Sequence, residues 1–250
     1  MNDLISIVMP LFNCAAFVKE ALESVVCQTY SNWEMLITDD GSTDSSADIV
    51  QCYVEKDKRI TLLRSNERFG PATSRNRAIK EARGRYIALL DSDDVWLPEK
   101  LKKQLDFMKE KKATLSYTSY EKMDEEGIAR GIVQIDETVN YRRLLRSNII
   151  ACSSAIYDSK KTGKRYMAEG LSTQEDYTLW LDILRSGNSA YGLNEPLMKY
   201  RVRKESVSRN KIRTAKDQWY IYRKKEKMPL LKSIYYFAHY VHKSVRKYSI

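Results

Sequence analysis

The stretch Tyr86-Ile87-Ala88-Leu89-Leu90-Asp91-Ser92-Asp93-Asp94 puts three carboxylates in four residues directly behind an unbroken apolar run. A buried run of that length reads as an interior strand, and charges crowded at its end are costly unless a cation or a substrate meets them there. Carboxylate oxygens are hard ligands that suit Mg²⁺ or Mn²⁺, and Mg²⁺ is commonly held by one or two carboxylates together with the phosphates of a substrate. The cluster therefore marks a candidate ligand site and points to a nucleotide. A second reading stays open, in which Asp91, Asp93 and Asp94 form an acidic turn that merely suits the N-terminal dipole of the helix starting at Pro98.

Upstream, strand and helix patterns alternate. Leu4 to Met9 is β-rich and stops at Pro10, and apolar residues at helical spacing follow from Ala16 to Val26. Trp33 to Thr38 reads as a second strand, ending at Asp39-Asp40-Gly41-Ser42-Thr43-Asp44, whose Ser, Thr and Asp suit the cap of a helix running to about Tyr53. Ile60 to Leu63 is a third strand, and Gly70-Pro71 opens a helix through Ala82. Such alternation implies βαβ units and a largely parallel sheet, with ligands at the carboxyl ends of the strands. Pro10-Leu11-Phe12-Asn13, Asp39-Asp40-Gly41 and the Asp91–Asp94 cluster all fall at those ends, so three polar loops are expected to share one crevice. No G-x-G-x-x-G or Walker A sequence follows any strand, which argues against a dinucleotide dehydrogenase or a P-loop enzyme. Downstream, Pro98 to Lys111 is predicted helical, Thr114 to Tyr120 and Ile149 to Tyr157 are predicted strands, and Tyr177 to Leu184 has helical spacing behind the acidic pair Glu175-Asp176.

With 250 residues, 43% hydrophobic and 30% charged, the chain suits one large domain with an appendage. Four cysteines without C-x-x-C spacing fit a reduced, cytosolic compartment. The Leu4–Phe12 run lacks the basic n-region of a signal peptide, and no run of about 18 apolar residues offers a membrane span. Charge is distributed unevenly. Residues 199–250 hold 16 Lys/Arg against three Asp/Glu, whereas residues 1–198 hold 27 against 30. A near-neutral body with a basic tail suggests an anionic partner, either nucleic acid or a membrane surface, or simply a solvated basic helix.

Five segments in this order and spacing resemble the family 2 inverting glycosyltransferases over roughly residues 4–208: Ser6 to Asn13; Asp39 to Asp44; Ser74-Arg75-Asn76-Arg77-Ala78; Leu90 to Asp94 with Trp96-Leu97-Pro98; and Glu175-Asp176-Tyr177 with Trp180. The resemblance implies an α/β fold of the single-domain glycosyltransferase A type, a mostly parallel central sheet flanked by helices. It also implies a nucleotide-diphospho-sugar donor and a cofactor, Mn²⁺ or Mg²⁺, with Asp93 as metal ligand. By the same resemblance Asp40 contacts the base, Pro10 and Leu11 supply backbone contacts, and Asn13 lies nearby. Asp91 and Ser92 belong to the donor site, and Asp176 is the base that takes the acceptor proton. A carboxylate accepting from a base N–H suits a uracil imide and favours UDP-sugars. With a diphosphate–metal leaving group one carboxylate suffices, and direct displacement inverts the anomeric carbon. Arg75 is a candidate diphosphate cation, or else an ion-pair partner of the acidic cluster. Many members of the family carry a histidine where Arg203 stands, so Arg203 or Lys204 is expected to act on the diphosphate as a cation instead.

The chain divides into a nucleotide-sugar-binding catalytic part, 1–208, and a basic amphipathic helical tail, 209–250. In the final helix Leu230, Leu231, Ile234, Phe237, Ala238, Val241 and Val245 keep helical spacing among basic and aromatic residues. Such a helix suits an anionic bilayer. Packing on the catalytic part or on a second subunit, as in a homodimer, is the competing reading. Because many bacterial members extend lipid-linked saccharides, the resemblance implies a polyprenyl-diphosphate-linked sugar acceptor, as in O-antigen or other surface polysaccharide assembly, no nucleic acid partner, and a peripheral place on the inner face of the cytoplasmic membrane. A sugar-nucleotide nucleotidyltransferase and a basic nucleic-acid-binding protein are the alternatives.

Overall fold

The computed structural model describes residues 3–171, 173–203 and 210–246, with side chains in the last helix described through His242. In chain order the elements begin with β1 (Ile5–Leu11), α1 (Val18–Val26), β2 (Trp33–Asp40), α2 (Ser46–Lys56), β3 (Ile60–Ser65), α3 (Pro71–Glu81) and β4 (Tyr86–Leu89). They continue through β5 (Val95–Trp96), α4 (Lys100–Glu110), β6 (Leu115–Met123), β7 (Ala129–Val133), β8 (Thr138–Asn140) and α5 (Tyr141–Leu144). The remainder is β9 (Ile156–Asp158), α6 (Ser159–Thr162), α7 (Glu175–Arg185), β10 (Ser189–Arg201), α8 (Lys211–Tyr220) and α9 (Leu230–Arg246).

The strands form one sheet in the order β3-β2-β1-β4-β9-β6-β10-β5, with β7 beside β6 and β8 beside β10. The βαβ half, β3-β2-β1-β4, is parallel as the alternation requires. The other half is mixed. Although β6 and β10 run parallel, β9 is antiparallel to both β4 and β6. The cause is local: the chain turns through a short 3₁₀ segment, Cys152–Ser154, at the ligand end of β4 and enters β9 running away from it. That turn also shortens the strand predicted over Ile149–Tyr157 to Ile156–Asp158.

Side chains alternate across the sheet with the period of two that a pleat imposes. Ile5, Ile7, Met9 and Leu11 of β1 pack with Met35, Ile37, Ala88 and Leu90 against α1, α2 and α4. Val8, Leu36, Ile87 and Leu89 face the opposite layer, with α3 and α7. Near the amino ends of β1 and β2 a polar knot fixes register. Buried Ser6 Oγ donates to Glu34 Oε1 at 2.6 Å and accepts from Gly84 N–H at 2.8 Å. Gly84 is required there, since a Cβ would stand 2.6 Å from Ser6 N.

β10, thirteen residues long, escapes sequence reading because Asn194-Glu195-Pro196 interrupts its pattern. Register shifts against β6 on both sides of Pro196 let the strand carry a residue that cannot donate to the ladder. Trp180 is fully buried in the core. Ile221, Tyr222, Met228 and Tyr236, from the basic tail, join the same core as α7. Among the described residues no helix is long and apolar enough to cross a membrane.

Candidate active site

The carboxyl ends of β1, β2 and β4 deliver three loops to one place, and side chains lace them together. Asn13, in a left-handed conformation (φ 43°), accepts on Oδ1 from Thr43 N–H at 2.8 Å, while its own N–H donates to Ser42 Oγ at 3.1 Å. Asp40, the last residue of β2, accepts from Phe69 N–H and Gly70 N–H, both at 2.8 Å, and so holds the entry to α3. One lone pair on each Asp40 oxygen is left over for a ligand. Leu11 is buried in the core, so only its backbone and that of half-buried Pro10 face the crevice.

The acidic loop after β4 rests on the turn before β9: Asp91 N–H donates to Ser153 Oγ at 3.0 Å, and Trp96 Nε1 donates to Ser153 O at 2.8 Å. Its three carboxylates are handled differently. Asp91 pairs with Arg75 at 2.5 Å. Asp94 is 1% exposed and accepts from Arg201 N–H at 2.9 Å; burial, then the charges of Asp93 and Asp91, push its carboxyl well above the ordinary range. Asp93 stays partly open, as Asp91 does, but its ion pair is looser; it too is raised by burial and by Asp91, against the pull of Arg203. Ser92 turns inward against Cys14, whose thiol burial pushes up to about 11. The Ser92 hydroxyl expected at the donor is therefore committed to the interior.

Two cations border this loop. Arg75 is not free to reach a diphosphate, because its guanidinium is buried and bridges Asp91 at 2.5 Å to Glu175 Oε1 at 2.8 Å. It welds the acidic loop to the start of α7, the ion-pair arrangement that the sequence held open beside a diphosphate contact. Arg203 lies 3.6 Å from Asp93 Oδ2, with its guanidinium 5.3 Å from the Phe17 ring. It thus occupies the neighbourhood of the candidate metal ligand. Lys204, the alternative cation, lies outside the described residues.

Asp176 sits in the first turn of α7 behind Gln174, whose left-handed backbone (φ 61°) starts the helix. Its Oδ1 accepts from Tyr177 N–H at 2.7 Å and from Asn148 Nδ2 at 3.4 Å. Burial, followed by the charge of Glu175, pushes the carboxyl up to about 7 despite the opposing charge of Arg75. A carboxylate tuned near neutrality is suited to take a proton and to release it.

Asn148, Ser153 and Arg201 escape the sequence reading. Asn148 lies in a stretch with no periodicity, and the other two act through contacts over 62 and 107 residues. Arg201 is nearly sealed; besides supporting Asp94 it donates from Nε to Asp93 O at 2.9 Å and pairs with Glu20. Among the described residues no three His, Cys, Asp or Glu side chains converge as a closed metal site. The arrangement fits a cation held by Asp93 and completed by ligand oxygens, because a part-open hard oxygen flanked by like charges gains from a divalent ion.

The Glycosyl transferase family 2 model matches residues 6–161. The putative teichuronic acid biosynthesis glycosyltransferase TuaG of Bacillus subtilis (strain 168) is 38% identical, over 98% of this chain and 98% of its own length. WfaP of Escherichia coli, a UDP-Glc:alpha-D-GlcNAc-diphosphoundecaprenol beta-1,3-glucosyltransferase, is 39% identical over 84% of this chain and 82% of its own. Residues 1–349 of S. aureus TarS, solved with UDP-GlcNAc, superpose with a TM-score of 0.73 at 23% identity, covering 88% of this chain and 64% of that one. That likeness carries the fold, a glycosyltransferase A-type sheet with its helices. Motifs, architecture and end-to-end identity agree, and the chain belongs to glycosyl transferase family 2.

Proposed function

We propose that this glycosyltransferase moves a hexose, with inversion, from a UDP-sugar to a hydroxyl of a polyprenyl-diphosphate-linked sugar during assembly of an O-antigen or another surface polysaccharide. One arrangement carries the reading: Asp176, raised to about 7, is tied through Glu175 and Arg75 to Asp91 of the acidic loop, so base and donor site are built as one unit. The names of WfaP and WfgD of Escherichia coli, both UDP-Glc:alpha-D-GlcNAc-diphosphoundecaprenol beta-1,3-glucosyltransferases, support UDP-glucose and a GlcNAc-diphospho-lipid as the first pair to test.

In this reading the catalytic part is residues 1–208, and the basic tail, 209–250, is its appendage. Asp40, with Asn13 and the backbones of Pro10 and Leu11, receives the uracil end. Asp93 would hold Mn²⁺ or Mg²⁺, and the cation would supply positive charge to the diphosphate leaving group. Asp91 and the backbone at Ser92 shape the donor loop, and Arg203, beside Asp93, offers a cation to the diphosphate. The acceptor oxygen bonds to the anomeric carbon as the bond to the diphosphate oxygen breaks, and its proton passes to Asp176. Tyr177 N–H and Asn148 hold Oδ1, which leaves Oδ2 to receive that proton. A single displacement inverts the configuration. The enzyme works at the inner face of the cytoplasmic membrane, where a lipid-linked acceptor resides.

The test is a panel of UDP-, GDP- and dTDP-sugars with a synthetic GlcNAc-diphospho-lipid, in Mn²⁺, Mg²⁺ or EDTA, with products read by mass spectrometry and the new linkage by NMR. A β-linked product from an α-linked UDP-sugar, lost in EDTA, is expected. Retention of configuration, metal-independent transfer, or formation of a nucleotide-sugar from UTP and a sugar phosphate would overturn the proposal.

A further inference from the structure

The last helix is apolar on two sides, and only one of them is used. On the inner side Ser233 and Tyr236 are buried, Tyr236 stacks beside Tyr222 (6.2 Å between ring centroids), and Phe237 meets Trp219 edge-on at 5.4 Å. This side is part of the core shared with α7. At 3.6 residues per turn the opposite side is an arc about 140° wide. Leu230, Leu231, Ile234, Tyr235, Ala238 and Val241 occupy it, all exposed, and Leu231 is 83% exposed. A surface helix ordinarily turns polar residues to water. Here the sequence does the opposite over three turns. Lys243, Val245, Arg246, Lys247 and Tyr248, which the periodicity also counts, lie outside the described side chains.

Within the tail the exposed charge has one sign. Between residues 210 and 242 every exposed charged side chain is Lys or Arg, seven in all from Lys211 to Lys232. The two acidic residues of that stretch are drawn inward. Asp217 accepts from Thr173 N–H and its hydroxyl, and Glu226 pairs with Arg185 and Tyr141. A second copy docking through this face would bring two such fields together without anionic partners, at an electrostatic cost. An anionic lipid surface satisfies both features, since headgroups meet the cations and the acyl boundary takes the apolar arc.

We infer that the outer face of α9, Leu230-Leu231-Ile234-Tyr235-Ala238-Val241, docks into an anionic bilayer while the inner face keeps the helix fixed to the catalytic body. The helix is thus a rigid foot and not a detachable tail, and it holds the crevice at a set height and tilt over the lipid. The inference rests on the lipid-linked acceptor only for its purpose, and its test uses neither donor nor acceptor, so the two proposals fail separately.

The full-length protein is floated with phosphatidylglycerol-rich and with pure phosphatidylcholine vesicles, at low and at high salt. Binding to the anionic vesicles alone is expected, weakened but not abolished by salt, because screening acts on the charges and not on apolar burial. The double substitution Leu231→Glu with Ile234→Glu lies at exposed positions and should reduce vesicle binding by about tenfold or more with an unchanged melting temperature. Tyr236→Ala, on the inner face, should lower the melting temperature. Three results overturn the inference: no flotation of the intact protein at low salt, equal flotation of the double variant, or a lower melting temperature for it. So does a dimer in sedimentation equilibrium that the double variant abolishes, since the face would then belong to a second copy.

Discussion

If Asp176 is the proposed base, transfer should follow its ionisation, which burial and Glu175 place at about 7. If the carboxylate must be charged to take the acceptor proton, about one tenth of the enzyme is competent at pH 6, half at pH 7 and about nine tenths at pH 8. The value of kcat/KM, measured at saturating metal from about pH 5 to about pH 9, should therefore fall close to tenfold per pH unit on the acid side. The surroundings supply an internal control. After burial, Glu175 raises Asp176 and Arg75 lowers it. Glu175→Gln should move the limb to lower pH and Arg75→Gln to higher pH. A unit charge about 10 Å away at an effective dielectric of about 20 is worth about 1.7 kcal/mol, just over one pH unit, and a nearer charge more. Asp176→Asn keeps the shape and the contacts of Oδ1 but not the proton acceptor, so activity should drop by about 10²–10⁴-fold and the limb should vanish. Stability carries the opposite sign. The folded carboxyl titrates above its unfolded value of about 3.9, so the stability associated with its protonated form is full below about pH 4 and lost as pH rises through about 7. The Asn variant should accordingly match the wild type below about pH 4 and exceed it above about pH 7 in urea denaturation. A limb absent near neutrality, a limb kept in the Asn variant, or a shift of the same sign in both neighbours would refute the assignment.

Asp93→Asn should abolish metal-dependent UDP-sugar binding in titration calorimetry while leaving the circular dichroism spectrum unchanged, because it removes the carboxylate charge proposed to hold the cation without removing volume. Arg75→Met should cost about 1–3 kcal/mol in urea unfolding, since Asp91 and Glu175 would be left as partly buried carboxylates without their cation. A loss under about 1 kcal/mol would mean that the bridge holds nothing in place. Gly84→Ala should destabilise by about 1–3 kcal/mol with kcat/KM unaffected in the folded fraction, because its Cβ meets backbone at the far end of the sheet from the crevice.

Much of this molecule is written locally. The alternation of β1 through β4 with their helices follows from hydrophobic period and from Pro10, Pro71 and the Asp39–Asp44 cluster, and these are properties of neighbours in sequence. Because strands so arranged point their carboxyl ends one way, the same string also places Asn13, Asp40 and Asp93 at one crevice. Where the rule of periodicity is interrupted, legibility ends: β10 is hidden by Pro196 at a bulge, and β9 reverses direction because a 3₁₀ turn replaces a crossover. The chemistry of the charged groups lies further out of reach. Three aspartates in four residues look equivalent in sequence, yet a guanidinium from α3 takes Asp91 at 2.5 Å, a backbone N–H of β10 takes Asp94, and Asp93 keeps a looser ion pair, 3.6 Å from Arg203. Arg75 reads either as a diphosphate cation or as a partner of the acidic cluster until Glu175, a hundred residues away, is brought to its other nitrogen. The heptad-like stripe of α9 likewise shows that the helix is apolar but not which side is spent, because burial depends on what Tyr222 and Trp219 present to it. Period and turn chemistry are short-range and survive in the string, whereas desolvation and Coulomb interactions depend on which distant atoms the fold brings within a few ångströms.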